Sequence, residues 1–145
     1  MTGGASATSV VVKLGGSVLD GGALDAVLRG VARLHRRGFR CTVVHGGGPS
    51  VTRTLEELGV EPRFVDGLRV TDAETMDVVE MVLSGRVGPR IVGRLRALGV
   101  GAVGLSGVDG GLLTVRPHPD AGRLGRVGEV VSVDSRYLYR GLDIG

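Results

Sequence analysis

The sequence predicts an α/β fold with a parallel sheet packed between helices. Two β-branched runs, residues 10–14 and 41–44, stop abruptly in glycines, Gly15-Gly16 and Gly46-Gly47-Gly48. Each glycine loop leads into a stretch with apolar residues at helical spacing. Strand, glycine loop and helix therefore occur twice in order, the pattern of parallel strands joined by helical crossovers. The third observation is size: 145 residues make one ordinary domain with room for a real core. Aromatic content is 3% with no Trp, so that core must be aliphatic.

Taken in order, the run ending at Leu14 reads as a buried strand. Leu24, Val27, Leu28, Val31 and Leu34 follow as one helix face, closed by Gly38. Residues 41–44 read as a second buried strand. Pro49 suits the first turn of a new helix that turns Val51, Leu55 and Leu58 inward and stops at Gly59. A short strand or loop is expected near Phe64. Thr71-Asp72-Ala73-Glu74 reads as a capping box that starts a helix with a Met76, Val79, Leu83 stripe and an end at Gly85. A separate helix then carries Val87, Ile91, Val92, Leu95 and Leu98. Residues 101–107, "GAVGLSG", read as a third buried strand. Residues 112–115 and 127–133 read as a hairpin across a Pro- and Gly-rich connection. Ser135 is placed to cap a last short helix.

Composition excludes several classes. Net charge is +3, but the arginines are scattered among acids and no basic run exceeds Arg36-Arg37, so the chain shows no nucleic-acid stripe. Cys41 is the only cysteine, which rules out a disulfide framework and fits a reducing cytoplasm. The start "MTGGASATS" has neither the basic nor the apolar region of a signal peptide and reads as a loose tail over residues 1–9. No apolar run approaches the roughly 20 residues of a membrane span.

Lys13 is the only lysine among 18 Lys and Arg residues. At a strand's end, against Gly15 and Gly16, it puts a compact charge beside open backbone N–H groups, which suits a phosphate; a surface lysine before a turn is the plain alternative. In "HGGGPS", Gly46, Gly47 and Gly48 leave N–H groups open at a helix start, a favourable anion site, or else form a tight turn. An esterase oxyanion loop would need a Gly-x-Ser-x-Gly elbow, and "GLSGV" around Ser106 has Val108 where glycine is required. In Gly67-Leu68-Arg69, the arginine can present its fork to a carboxylate, although a surface arginine is the commoner case. Asp109, among glycines, reads first as a turn former, with catalytic acid and metal ligand as the alternatives. His35 and His118 lack metal-ligand spacing, and no metal-ligating residue is assigned.

In order, "VVVKLGGSVLD", "TVVHGGGPSV", "DGLRVTDAETMDVVEMVLSG" and "AVGLSGVDGGLL" resemble the amino-acid kinase family, and the third string resembles its acetylglutamate kinase branch. The resemblance implies a three-layer αβα sandwich around a mainly parallel sheet, with a β-hairpin lid near residues 112–133. It implies transfer of phosphate from ATP with Mg2+ to the side-chain carboxylate of N-acetylglutamate, a step of arginine biosynthesis. Lys13 would stabilise the transferring phosphoryl group. Gly15, Gly16, Gly46, Gly47 and Gly48 would offer N–H groups to its oxygens. Gly67, Leu68 and Arg69 would hold the acetylglutamate.

Two departures stand out. Gly88-Pro89 replaces an Asn-Lys pair common in the family. The family's ATP-binding second half, with its Asn/Asp-rich loop and second catalytic lysine, has no counterpart here, since the chain has no Asn and one Lys. The expectation is therefore an N-terminal acceptor lobe over residues 10–145 with the C-terminal ATP lobe absent and little activity alone. A stand-alone acidic-metabolite binding module and a carrier-linked aminoadipate or glutamate kinase are the alternatives. The family habit further implies a cytoplasmic homodimer formed through this lobe, with no membrane or nucleic-acid partner. The short tail argues against arginine feedback.

Overall fold

A computed structural model describes residues 8–144; the expected tail falls mainly on residues 1–7, outside the described residues. Strand β1 (Ser9–Leu14) pairs in parallel with β2 (Arg40–His45), from Ser9 opposite Arg40 to Leu14 opposite His45. Between them run α1 (Gly16–Asp20) and α2 (Leu24–Arg36). Helix α3 (Gly48–Glu57) follows β2, and a small antiparallel hairpin, β3 (Phe64–Val65) and β4 (Leu68–Arg69), leads to α4 (Ala73–Val82). Helix α5 (Gly88–Ala97) precedes a second hairpin, β5 (Leu113–Pro117) and β6 (Gly128–Val133), with α6 (Ala121–Leu124) in its connection and α7 (Arg136–Ile144) after it. The α/β class, the parallel pairing and the hairpin are those the sequence predicts.

One aliphatic core holds the elements together. Leu24, Leu28, Val31 and Ala32 of α2 meet Val51 and Leu55 of α3 and Val78, Val82, Val87, Ile91 and Leu95 further on. Leu55 is fully buried. Replacing Leu55 by Ala leaves a cavity and is expected to cost about 2–5 kcal/mol. A lower denaturant midpoint with an unchanged slope would show it.

Four sequence expectations are corrected. First, β1 and β2 are not buried on both faces. Val10, Val12 and Leu14 turn toward the core, whereas Val11 is 69% exposed and Val44 47%, so one face of the pair is open. Second, Leu58 points outward, because it lies beyond the last turn of α3. There the chain reverses: Gly59 takes φ +75°, its N–H donates to Glu56 O and the Val60 N–H donates to Leu55 O. This glycine-dependent closure also ends α2 and α5. Third, residues 101–107 form no strand. Val100 and Ala102 touch the core, but Val103 is 78% exposed and the segment pairs with no described strand. An apolar alternating run satisfies the pattern of a strand without supplying a partner for its hydrogen bonds.

Fourth, Gly85 ends nothing. Helix α4 continues through a π-turn, Leu83–Val87, straight into α5. The buried positions explain the turn: Val78 and Val82 are four apart, Val82 and Val87 five apart, and Val87, Ile91 and Leu95 four apart again. The wide turn absorbs the extra residue and keeps the stripe on one face. Pro89 follows it, at the start of α5, where the ladder is already shifted and the Gly88 N–H donates to Leu83 O.

The cap of α4 is Asp72 rather than Thr71, accepting from the Thr75 N–H at 2.9 Å. That hydrogen bond, chiefly, holds the Asp72 carboxyl below its ordinary pKa, with Arg63 adding a smaller charge effect. A carboxyl depressed in the folded state stabilises the fold above its unfolded value, near pH 4, and this contribution vanishes as pH falls through the folded value. Asp72→Asn should keep the cap and flatten that part of the acid melting profile. An unchanged profile would refute this.

Candidate functional site

The glycine loop after β2 opens the site. Helix α3 starts without a side-chain cap, so the N–H groups of its first turn have no intrahelical acceptor. At Gly47 a Cβ would lie 2.6 Å from Leu83 Cδ2, so that side chain would have to move. Gly16 is equally constrained, since its Cβ would meet the Pro49 ring at 2.8 Å. The two glycine loops thus touch, Gly16 against Pro49, beside the Gly46 N–H that reaches Leu14 O at 3.5 Å.

The β3–β4 hairpin delivers Arg69. Asp66 and Gly67 both take positive φ, 51° and 78°, and make a two-residue turn. That register sets Arg69 opposite Phe64, and the guanidinium lies 4.7 Å over the Phe64 ring. Arg69 Nη2 donates to Thr52 Oγ1 at 2.8 Å and to Gly48 O at 3.3 Å. Arg69 Nη1 is buried with no hydrogen-bond partner. Burial also pulls the Arg69 pKa below the usual arginine value. A buried, unsatisfied donor costs about 1–3 kcal/mol, and more for a charged one, unless something accepts from it.

The second hairpin closes the site through Thr71. Thr71 N–H donates to Leu124 O at 2.8 Å and Thr71 O accepts from the Arg126 N–H at 2.6 Å. Gly125 lies against this contact with φ +76°, where a Cβ would sit 2.2 Å from Thr71 O. Leu124 is buried beneath it. The Thr71 backbone thus holds the hairpin and its Oγ1 donates to Arg69 O at 3.2 Å, while Asp72, directly before the helix, caps it.

The result is a cleft of about 470 Å³ lined by Gly46, Gly47, Gly48, Val51, Arg69, Thr71, Met76, Val79, Leu83, Arg126, Val127 and Gly128. Its size suits a small metabolite. One wall is apolar, from Val51, Met76, Val79 and Leu83; the other is made by Arg69, Arg126 and a helix start, with no acidic residue among the lining. Such a lining carries positive charge with no acid to offset it.

Of the residues singled out from sequence, Gly46, Gly47, Gly48 and Arg69 line the cleft. Lys13, Gly15 and Gly16 do not; Lys13 is exposed on the open face of β1, opposite Val44. Gly67 and Leu68 also lie outside the lining, Gly67 serving the turn. Asp109 closes its own loop, accepting from the Ser106 N–H at 2.6 Å and Ser106 Oγ at 2.9 Å. The sequence reading missed Arg126, which no motif marks. The Met76, Val79, Leu83 stripe read from the spacing lines the cleft, and Val79 and Leu83 pack against the core as well.

Residues 8–142 match the amino acid kinase family. The chain belongs to the amino acid kinase family. Among curated family relatives, the acetylglutamate kinase of Acaryochloris marina (strain MBIC 11017) is 50% identical over 138 residues, 94% of this chain and 48% of the relative. That of Synechococcus sp. (strain RCC307) is 52% identical over 137 residues, 94% of this chain and 46% of the relative. The chain therefore spans about half the length of the curated relatives it matches. Among solved structures, smu.665 from Streptococcus mutans UA159 superposes with a TM-score of 0.83 at 27% identity, over 94% of this chain and 55% of that one. The N-acetylglutamate synthase of Neisseria gonorrhoeae, solved with coenzyme A and N-acetyl-glutamate, gives a TM-score of 0.74 at 27% identity, over 94% of this chain and 31% of that one.

Proposed function

We propose that this amino acid kinase family chain supplies the acceptor side of an acetylglutamate kinase and binds N-acetylglutamate in the cleft between α3, α4 and the two hairpins. The observation that carries the reading is Arg69, which lines an acid-free cleft and whose buried Nη1 has no partner. The identity of about one half to acetylglutamate kinases supports the choice of substrate. In this reading Arg69 takes the α-carboxylate, with Thr52, Gly48 O and Phe64 fixing its fork beforehand, so that little rotamer freedom is lost on binding. The wall of Met76, Val79 and Leu83 receives the apolar part of the ligand.

ATP, bound with Mg2+, supplies the phosphoryl group. The residues present fit the phosphate end of that cofactor: an uncapped helix start behind Gly46 and Gly47, with Gly15 and Gly16 on the adjoining loop. The described residues contain no cluster of three His, Cys, Asp or Glu side chains that could hold the metal. The N–H groups of Gly47 and Gly48, with those of Gly15 and Gly16, would hold phosphoryl oxygens in place, while that of Gly46 reaches Leu14 O. Lys13, a compact charge at the end of β1, would offset the charge that builds up during transfer. Gly67 and Leu68 set the turn and pairing that aim Arg69.

Calorimetric titration of N-acetylglutamate in the absence of ATP tests the reading. Saturable binding to a cooperatively folded chain is expected. No heat from a chain that melts cooperatively would remove N-acetylglutamate as the ligand.

A further inference from the structure

We propose that Arg126 is a second ligand-binding cation, carried by the β5–β6 hairpin, that makes the cleft select two negative charges over one. The proposal rests on the acceptor-site reading above and adds to it a specificity residue that no sequence motif marks. Three observations support it. Arg126 lines the same cleft as Arg69, though it comes from a different segment. The cleft lining contains no carboxylate to neutralise either arginine. Among the described residues the Arg126 side chain makes no hydrogen bond or ion pair. Neighbouring arginines differ: Arg123 reaches Asp66 at 2.8 Å, Arg116 reaches Glu129 at 2.8 Å, and Arg63 lies 3.7 Å from Asp72.

The backbone of Arg126 is nevertheless fixed. Its N–H donates to Thr71 O, two residues beyond Arg69, and Gly125 allows that approach. Arg69 and Arg126 are therefore held at the cleft by one hydrogen-bonded junction, on a buried Leu124. A guanidinium that is positioned by its backbone and has no acid to pair with keeps its donors for a ligand. A monoanion satisfies one of the two groups. A dicarboxylate satisfies both and, in doing so, fastens the hairpin over the cleft.

The test compares wild type with Arg126→Gln and Arg126→Ala, using three probes in calorimetry: N-acetylglutamate, its side-chain amide N-acetylglutamine, and glutarate. Arg126 is exposed and its side chain supports nothing in the fold, so melting midpoints should stay within a degree or two. Wild type should prefer N-acetylglutamate to N-acetylglutamine. Both variants should lose roughly 10- to 100-fold in affinity for the dianions, keep most of their affinity for the amide, and so lose the preference. An unchanged preference in the variants overturns the proposal while leaving the substrate reading intact. Arg126-dependent binding of glutarate without binding of N-acetylglutamate does the reverse. If wild type binds none of the three, both fall.

Discussion

Arg69→Ala is expected to weaken N-acetylglutamate binding by about 2–4 kcal/mol, roughly 30- to 1,000-fold. The size follows from what Arg69 already does without ligand. Its Nη2 is fixed by Thr52 Oγ1 and Gly48 O, its plane rests on Phe64, and its Nη1 has no partner. A carboxylate arriving there satisfies a buried charged donor in a site ordered beforehand, and alanine removes both the charge and the fork. Arg69→Lys separates the two: it restores charge but not the planar pair of donors, and should recover only part of the loss. Titration calorimetry gives the affinities, and a melting curve on the same samples shows whether the β3–β4 hairpin survives. Near wild-type affinity in the alanine variant would place the carboxylate elsewhere.

The second large effect is expected from Gly125→Val. A Cβ there would lie 2.2 Å from Thr71 O and 2.7 Å from its carbonyl carbon, and φ +76° is a conformation that valine rarely adopts. Neither atom is the loose end of a side chain, so the backbone must part. The Arg126 N–H to Thr71 O bond and the Thr71 N–H to Leu124 O bond should both break, detaching the second hairpin from the cleft. Hydrogen exchange at the Thr71 and Arg126 amides should accelerate by two orders of magnitude or more, and N-acetylglutamate affinity should fall at least tenfold. Gly122→Ala, in α6 with open space around its Cβ, is the control and should be neutral or slightly stabilising. Wild-type exchange in Gly125→Val would mean that the hairpin is held by something other than this junction.

What the sequence discloses depends on the range over which each property is set. Local rules sufficed for the helix stops at Gly38 and Gly59, which close their helices with contacts a few residues long. They did not suffice for Arg69, which the stretch alone reads as a surface arginine; the Asp66-Gly67 turn that sets it over Phe64 was not read from the sequence. They failed at the π-turn, where the signal was present but small: a single five-residue step in an otherwise four-residue stripe. They failed at residues 101–107, because an apolar pattern cannot say whether a second strand is beside it. Arg126 was out of reach altogether. Its importance comes from Thr71, 55 positions earlier, and nothing in "LGRVG" says that the hairpin folds back to that carbonyl.

The open face of the β1–β2 pair has a consequence for the energetics of transfer. Lys13 stands on it beside exposed Val11 and Val44, in contact with bulk water. In that medium, a unit charge about 4 Å from another is worth on the order of 1 kcal/mol; at an effective dielectric near 20 the same pair is worth about 4 kcal/mol. Water at that face is also a competing nucleophile for any phosphoryl group held there. The valines mark the face as one that an apolar surface could dry. Under the proposed function, the catalytic worth of Lys13 is therefore set less by its own position than by the cover laid over it. In that reading acceptor recognition lies in the cleft of this chain, and protection from hydrolysis belongs to whatever closes the other side.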